Sequence, residues 1–278
     1  MKSAMQLKAL IRNFAVEKGL QPEIILRNYM LERFLERVSL SEYRHQLILK
    51  GGLLIANLIG IESRSTMDLD ATVKGVRLTE KELTKMLNKI FDVPVDDGVQ
   101  MTLLGFDNIR DNADYTGIRV SIDAALDRTR QTLKIDITAG DAITPREIEY
   151  SYKLLIEDRN IAIMTYNIES VLAEKLETIL SRSITSTRMR DYYDVYILMA
   201  LKSDLINRDI FASAFKQTTK KRGSYGLLIQ KGPENMKSIK NSEELHTLWK
   251  RYQSKNAYAS CVNWEDVLAS IEQLYQKT

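Results

Sequence analysis

Two carboxylates two residues apart, close behind a glycine pair, constrain this chain more than any other feature. They lie in residues 46–72, QLILKGGLLIANLIGIESRSTMDLDAT. Residues 46–50 read as a strand, Gly51-Gly52 as a turn, and residues 53–59 as an apolar helical segment. A second strand follows, carrying Asp68 and Asp70. Residues two apart in an extended chain share a face, so Asp68, Asp70 and Thr72 point one way and Leu69, Ala71 and Val73 the other. The apolar face can be buried while both carboxylates stay wet. Like charges this close repel unless a cation lies between them, and the hard, oxygen-seeking Mg²⁺ is the natural choice. The strand–Gly-Gly–helix turn offers free backbone N–H groups at a helix N-terminus, which suits phosphate. A D-x-D pair alone is equally compatible with a solvated strand edge. Joined to the glycine pair and to Arg64-Ser65-Thr66, it points to nucleotide chemistry.

Composition narrows the chemistry further. The 278 residues contain one cysteine, Cys261, and two histidines, His45 and His246. That excludes an internal disulfide framework, a cysteine zinc site and a multi-histidine metal site. Any metal site must therefore be built from carboxylates. No apolar run is long enough to span a membrane, and the N-terminal MKSAMQLKALIRNF lacks the apolar core of a signal peptide, so a cytoplasmic location is expected. Charge is uneven. Residues 201–255 carry 12 Lys/Arg against 5 Asp/Glu, whereas residues 1–200 carry 27 against 29. The basic segment, 216–255, is either a solvated surface or a footprint for a polyanion such as RNA, with Tyr225 and Tyr252 as candidates for base stacking.

The remaining elements follow from periodicity. Residues 4–18 and 23–38 read as scaffold helices, the first with Leu7, Leu10, Ile11 and Phe14 at helical spacing. Thr79-Glu80-Lys81-Glu82 is a capping box opening a helix to about residue 91. Residues 99–106 read as a strand and 107–115 as an exposed polar loop. Residues 117–126 and 131–138 alternate as a hairpin around a turn at 127–130, with Asp123 and Asp136 on polar strand faces. A short strand pair is expected within 144–163. Alternation then gives way to helical period, placing a domain boundary near residue 165. Asn167 caps a helix whose one flank carries Lys175, Thr178 and Arg182, and a further helix beginning at Arg190 carries Asp191 and Asp194. Residues 201–215, 242–250 and 264–275 read as helices, and 221–232, followed by Pro233, as a loop. The prediction is an α+β chain: a mixed-sheet domain with N-terminal helices over residues 1–165 and a mostly helical domain over 166–278.

Lys50-Gly51-Gly52 followed by Arg64-x-Thr66-x-Asp68-x-Asp70 resembles the AbiEii/AbiGii toxin family of the DNA polymerase β-like nucleotidyltransferase superfamily. Further matching blocks fall at 133–136, 172–178 and 190–194. The resemblance implies a nucleotidyltransferase fold; the active site is expected in the cleft between the two domains, a common place for ligand sites. It implies a toxin of a toxin–antitoxin or abortive-infection (phage-defence) pair, with a separately encoded antitoxin. It also implies two Mg²⁺ ions and a nucleoside triphosphate substrate, GTP or a pyrimidine nucleotide, with the tRNA 3′ end as acceptor. Asp68, Asp70 and Asp136 would hold the metals, with Asp123 as the rival for the third position. Asp136 could also draw off the acceptor's proton. Lys175 would neutralise triphosphate charge, and Asp191 would join the active site. Lys50, Gly51, Gly52, Arg64, Thr66, Thr178, Arg182 and Asp194 would line or support the nucleotide site. A protein hydroxyl as acceptor, or a non-catalytic nucleotide- or antitoxin-binding module, are the competing expectations.

Overall fold

A computed structural model describes residues 4–111 and 115–278. It divides into two compact units: Met1–Gly140 with Ile148–Thr165, and Asp141–Glu147 with Tyr166–Thr278. Residues 141–147 thus group with the second unit.

The first unit opens with helices α1 (Ala4–Lys18) and α2 (Pro22–Leu40). α1 buries Leu7, Ile11 and Ala15 and leaves Leu10 exposed, so its inner stripe is narrower than the sequence suggests. α2 is buried on most sides, including its charged residues Glu32, Arg33, Glu36 and Arg37. Burial of Arg33, Glu36 and Arg37 is tolerated because they are paired. Arg33 lies 3.0 Å from Glu36 and 2.8 Å from Glu157, and Arg159 grips Glu36 through both oxygens at 2.6 and 2.9 Å. Arg37 forms a two-pronged bond to Asp97 at 2.6 and 2.8 Å.

The short strand β1 (Leu47–Lys50) runs directly into α3 (Gly51–Ile59), which begins at the first glycine, two residues earlier than the apolar run alone indicates. Strand β2 (Leu69–Val73) and helix α4 (Glu80–Phe91) follow. The Thr79 side chain caps α4, accepting from the Glu82 N–H at 3.3 Å. Strands β3 (Gln100–Asp111), β4 (Tyr115–Leu126) and β5 (Thr129–Ala139) form a meander, and β6 (Ile148–Lys153) and β7 (Asn160–Thr165) an antiparallel pair. Two sequence expectations are corrected. The polar stretch from residue 107 is strand up to Asp111 and again from Tyr115, while residues 112–114 of the expected loop lie outside the described residues. The hairpin turn is only Asp127-Arg128, because Asp127 adopts φ +50°, a left-handed conformation that Asp tolerates better than most residues and that reverses the chain in two residues.

The seven strands form one mixed sheet in the order β3-β4-β5-β2-β1-β7-β6. β2 is antiparallel to β1 and parallel to β5, so the strand carrying Asp70 is flanked on both sides. Leu69, Ala71 and Val73 are buried, as alternation requires.

The second unit is helical: α5 (Ile168–Arg182), α6 (Met189–Lys202), α7 (Arg208–Lys221), α8 (Tyr225–Lys240), α9 (Glu243–Lys255) and α10 (Trp264–Tyr275). Asn167 caps α5, accepting from the Ser170 N–H at 3.1 Å. The helix expected over 201–215 is broken at 203–207, and Asn207 caps α7. The loop expected over 221–232 is mostly α8, which contains Pro233. A proline inside a helix costs about 3 kcal/mol. Here tertiary packing overrides that cost: Leu228, Gly232, Met236 and Ile239 form a buried stripe at helical spacing. A Cβ at Gly232 would lie 2.6 Å from the Tyr275 hydroxyl, so any larger residue requires that side chain to move. Among the described residues no helix is long and apolar enough to cross a membrane.

Candidate functional site

The strand register assembles one row of charges across four adjacent strands. Lys50 on β1 pairs with Asp70 on β2, Asp70 with Asp136 on β5, and Asp136 with Arg119 on β4. Directly paired residues project from the same face of a sheet, at about 4.8 Å from strand to strand. The row therefore reads cation, carboxylate, carboxylate, cation. Asp68 stands two residues before Asp70, immediately ahead of β2.

Asp136 is held by Arg119 through two parallel bonds, Nε to Oδ1 at 2.7 Å and Nη2 to Oδ2 at 2.8 Å. The hydrogen bond to Asp136, and then the charges of Asp136, Asp68 and Asp70, raise the Arg119 pKa above its ordinary value. All three carboxylates thus act on one guanidinium. The pair is partly open to solvent, with side-chain exposures of 35% for Arg119 and 20% for Asp136. Asp123, the rival third carboxylate, pairs in register with Thr132, four residues along β5 from Asp136, and bonds Arg130 at 2.8 Å. At about 3.3 Å per residue, that places it roughly 13 Å along the strand from the row.

The glycine pair packs against this row. Gly51 has φ +67°, and a Cβ there would lie 2.1 Å from Asp70 Oδ2. The Gly52 N–H points at the same oxygen from 3.4 Å. The N-terminus of α3, the end that attracts anions, therefore abuts the Asp70 carboxylate. On the other side of the turn a Cβ at Gly52 would lie 2.6 Å from Arg64 Nη1. Arg64 is buried and donates to the Ser65 carbonyl at 3.0 Å. Thr66 is buried too, its hydroxyl donating to the Asp68 carbonyl at 3.3 Å. Asn28 of α2 donates to the Thr66 carbonyl at 2.9 Å and so fixes the approach to β2. Arg64, Thr66 and Asn28 thus shape the loop that presents Asp68 and Asp70.

A second group lies in the helical unit. Lys175 of α5 contacts Asp191 at 2.5 Å and Asp194 at 2.9 Å, both on α6. Asp194 is wholly buried and Asp191 nearly so. Thr178, one turn along α5 from Lys175, donates to the Glu174 carbonyl at 2.9 Å and accepts from Arg222 at 3.0 Å. Arg222 also bonds Glu177 at 2.8 Å. It belongs to this internal network and not to the exposed basic cluster in which its sequence neighbours Lys220 and Lys221 place it. Arg182 is half-buried in the last turn of α5. Tyr252, a candidate for base stacking, packs instead among Tyr193, Trp249 and Tyr258, with its hydroxyl bonded to that of Tyr258 at 2.8 Å. Lys220 stands over the Tyr225 ring.

Among the described residues, no three acidic, histidine or cysteine side chains converge as a metal cage. Asp68 and Asp70 nonetheless fit a divalent ion by donor chemistry: two hard oxygen ligands beside a backbone turn that a single Cβ would block. Mg²⁺ commonly binds through one or two carboxylates and completes its shell with water and substrate phosphate. Sequence reasoning missed Arg119. A two-residue turn at Asp127-Arg128 would have revealed it, because that turn alone brings Arg119 opposite Asp136.

Comparison with known proteins bears on the family and the fold. No curated protein matches the chain. Among solved structures, MenT4, a nucleotidyltransferase toxin from Mycobacterium tuberculosis, has a similar fold, with a TM-score of 0.56 and 11% identity over 97% of each chain. JHP933 from Helicobacter pylori aligns with a TM-score of 0.49 and 17% identity over 92% of each chain. A nucleotidyltransferase-like protein from H. pylori aligns at 0.48 and 18%, over 92% of this chain and 95% of its own. The family model described as "Nucleotidyl transferase AbiEii toxin, Type IV TA system" matches residues 33–270, spanning both the charged row and the Lys175 group, and the chain belongs to that family of toxin nucleotidyltransferases.

Proposed function

We propose that this nucleotidyltransferase toxin moves a nucleotide from a nucleoside triphosphate, GTP or a pyrimidine nucleotide, onto the 3′ hydroxyl of tRNA in the cytosol. Growth arrest through tRNA would serve phage defence, with a separately encoded antitoxin as its check. The observation that carries the reading is the Lys50–Asp70–Asp136–Arg119 row beside the Gly51-Gly52 helix start. The acceptor hydroxyl gives up its proton, to Asp136 or to water, as its oxygen forms a bond to the α-phosphorus; the bond to the β-phosphate bridging oxygen breaks, and pyrophosphate leaves. Asp68 and Asp70 supply the ligands for Mg²⁺, which when bound favours ionisation of the acceptor hydroxyl and offsets the charge of the leaving pyrophosphate. Backbone N–H groups at Gly51-Gly52 orient phosphate oxygens. Lys175, aligned by Asp191 and Asp194, supplies positive charge to the triphosphate. The exposed Lys216, Lys220, Lys221, Lys231, Lys237, Lys250 and Arg251 of the 216–255 segment supply phosphate contacts for the RNA.

The test is label transfer from each of the four α-³²P nucleoside triphosphates in the presence of total RNA and Mg²⁺. A tRNA-sized labelled band destroyed by ribonuclease is the expected result. Label that resists ribonuclease but not protease would identify a protein acceptor. Nucleotide binding with no transfer would identify a non-catalytic module.

A further inference from the structure

A second cationic feature lies in the first unit, where α1 meets the β4–β5 hairpin turn. We infer that the groove between them is a docking site for the phosphate backbone of RNA. The inference rests on the proposed RNA acceptor and extends its footprint beyond the 216–255 segment. α1 lies ahead of the residues the family model matches, 33–270.

The groove has a volume of about 560 Å³. Met5, Lys8, Ala9 and Arg12 form one bank, at the i, i+3, i+4, i+7 spacing of a single helical face. Asp127, Arg128 and Thr129 form the other. Lys8, Arg12 and Arg128 are exposed, and among the described residues none of the three is held in an ion pair or hydrogen bond. The one carboxylate of the lining, Asp127, accepts from the Ala4 N–H at 3.2 Å and so faces the start of α1. Three cations thus stand against one tethered anion. A second observation points the same way. Thr129 is only 6% exposed, yet its hydroxyl has no hydrogen-bond partner among the described residues. A buried hydroxyl left so costs stability unless a ligand meets it. The matching ligand carries several negative charges in file, with acceptor oxygens between the banks. Lys8 and Arg12 are one helical turn apart, about 6 Å along the axis, which suits successive phosphates of one strand. Arg128 meets that strand from the opposite bank. The lining offers Met5 and Ala9 but no aromatic pocket, so it lacks the anchor that a protein partner uses. Leu126 pairs with Thr129 and Arg119 with Asp136, so the turn stands seven residues, roughly 23 Å, along the hairpin from the charged row. Contacts there hold the body of an RNA whose end reacts elsewhere.

The test is fluorescence anisotropy of a labelled tRNA transcript titrated with the full chain between about 50 and 200 mM salt. Lys8→Gln, Arg12→Gln and Arg128→Gln should each weaken binding about five-fold and reduce the salt slope by about one, and Lys8→Gln with Arg128→Gln should reduce it by about two. Lys85→Gln removes an exposed cation of α4 outside the groove and should change affinity by less than about two-fold. Thermal melting verifies that each variant is folded, and three independent positions keep the test decisive if one is not. Folded groove variants that bind RNA like Lys85→Gln overturn the inference and leave the proposed transfer intact. A wild-type chain that binds no RNA overturns the RNA acceptor itself, and this inference with it.

Discussion

The first unit contains two dense clusters of charge, and their contrast separates architecture from chemistry. In one, Arg33, Glu36, Arg37, Asp97, Glu157 and Arg159 pair around α2, where Arg37 and Asp97 are nearly inaccessible. In the other, Lys50, Asp70, Asp136 and Arg119 line up across four strands, with Asp136 and Arg119 partly open. The buried cluster matches each guanidinium with carboxylates, so no charge is left for a ligand. The sheet row, with Asp68, has more carboxylate than cation and adjoins a helix N-terminus whose two glycines let the Asp70 and Arg64 side chains approach the backbone. Density of charge is common to both; imbalance and access belong only to the second.

Mutations should therefore break the two clusters in different ways. Asp68→Ala should lower transfer on the order of 10³-fold while the melting temperature stays near wild type. A large loss of stability would make Asp68 architectural. Asp97→Ala should do the reverse, costing about 3–5 kcal/mol in denaturant unfolding because Arg37 is left buried and unmatched. Folded Asp97→Ala protein should still transfer nucleotide at a rate close to wild type.

Glu32 sharpens the comparison through pH. Burial pushes its carboxyl up to about 8, against the opposing pull of Arg33 and of the Leu155 N–H, while Glu157 pushes it further up and Arg159 draws it down. The folded state then holds a proton that the unfolded state gives up near pH 4.5. The associated stability is fully present below pH 4.5 and is lost as pH rises through 8, a change of a few kcal/mol at most by linkage. Glu32→Gln should flatten that decline between pH 6 and 9 in chemical unfolding; an unchanged slope would remove Glu32 as its source. The smallest effect belongs to the basic segment. Lys220→Glu with Lys221→Glu should reduce the salt dependence of RNA binding by roughly one to two phosphate contacts. Arg222 is excluded from that test because Glu177 and Thr178 hold it inside.

Much of this was legible in the sequence because it depends on short-range pattern. The glycine pair, the Asp68–Asp70 alternation and the Thr79 and Asn167 caps each act within a few residues. What depended on register was not legible. A turn set at 127–130 shifts the hairpin by two residues, so that Arg119 faces Thr138 and not Asp136, and the placing of Asp136 beside Asp70 depends on the β2–β5 pairing. Asp127 hid the true turn because its positive φ has no signature as strong as glycine's. Local rules also failed at Gly232-Pro233, where a break signal lies inside α8 because burial of Leu228, Met236 and Ile239 outweighs it. The buried pairing of the α2 charges was not legible because their partners, at residues 97, 157 and 159, are distant in sequence.

The most direct test of the central claim is the rate of α-³²P nucleotide transfer by Asp70→Asn relative to wild type, with both proteins verified as folded by thermal melting. Asparagine keeps the shape beside Gly51 and removes only the charge. The account predicts that transfer falls to background at an unchanged melting temperature. Transfer within a few-fold of wild type would contradict it and return the charged row to architecture.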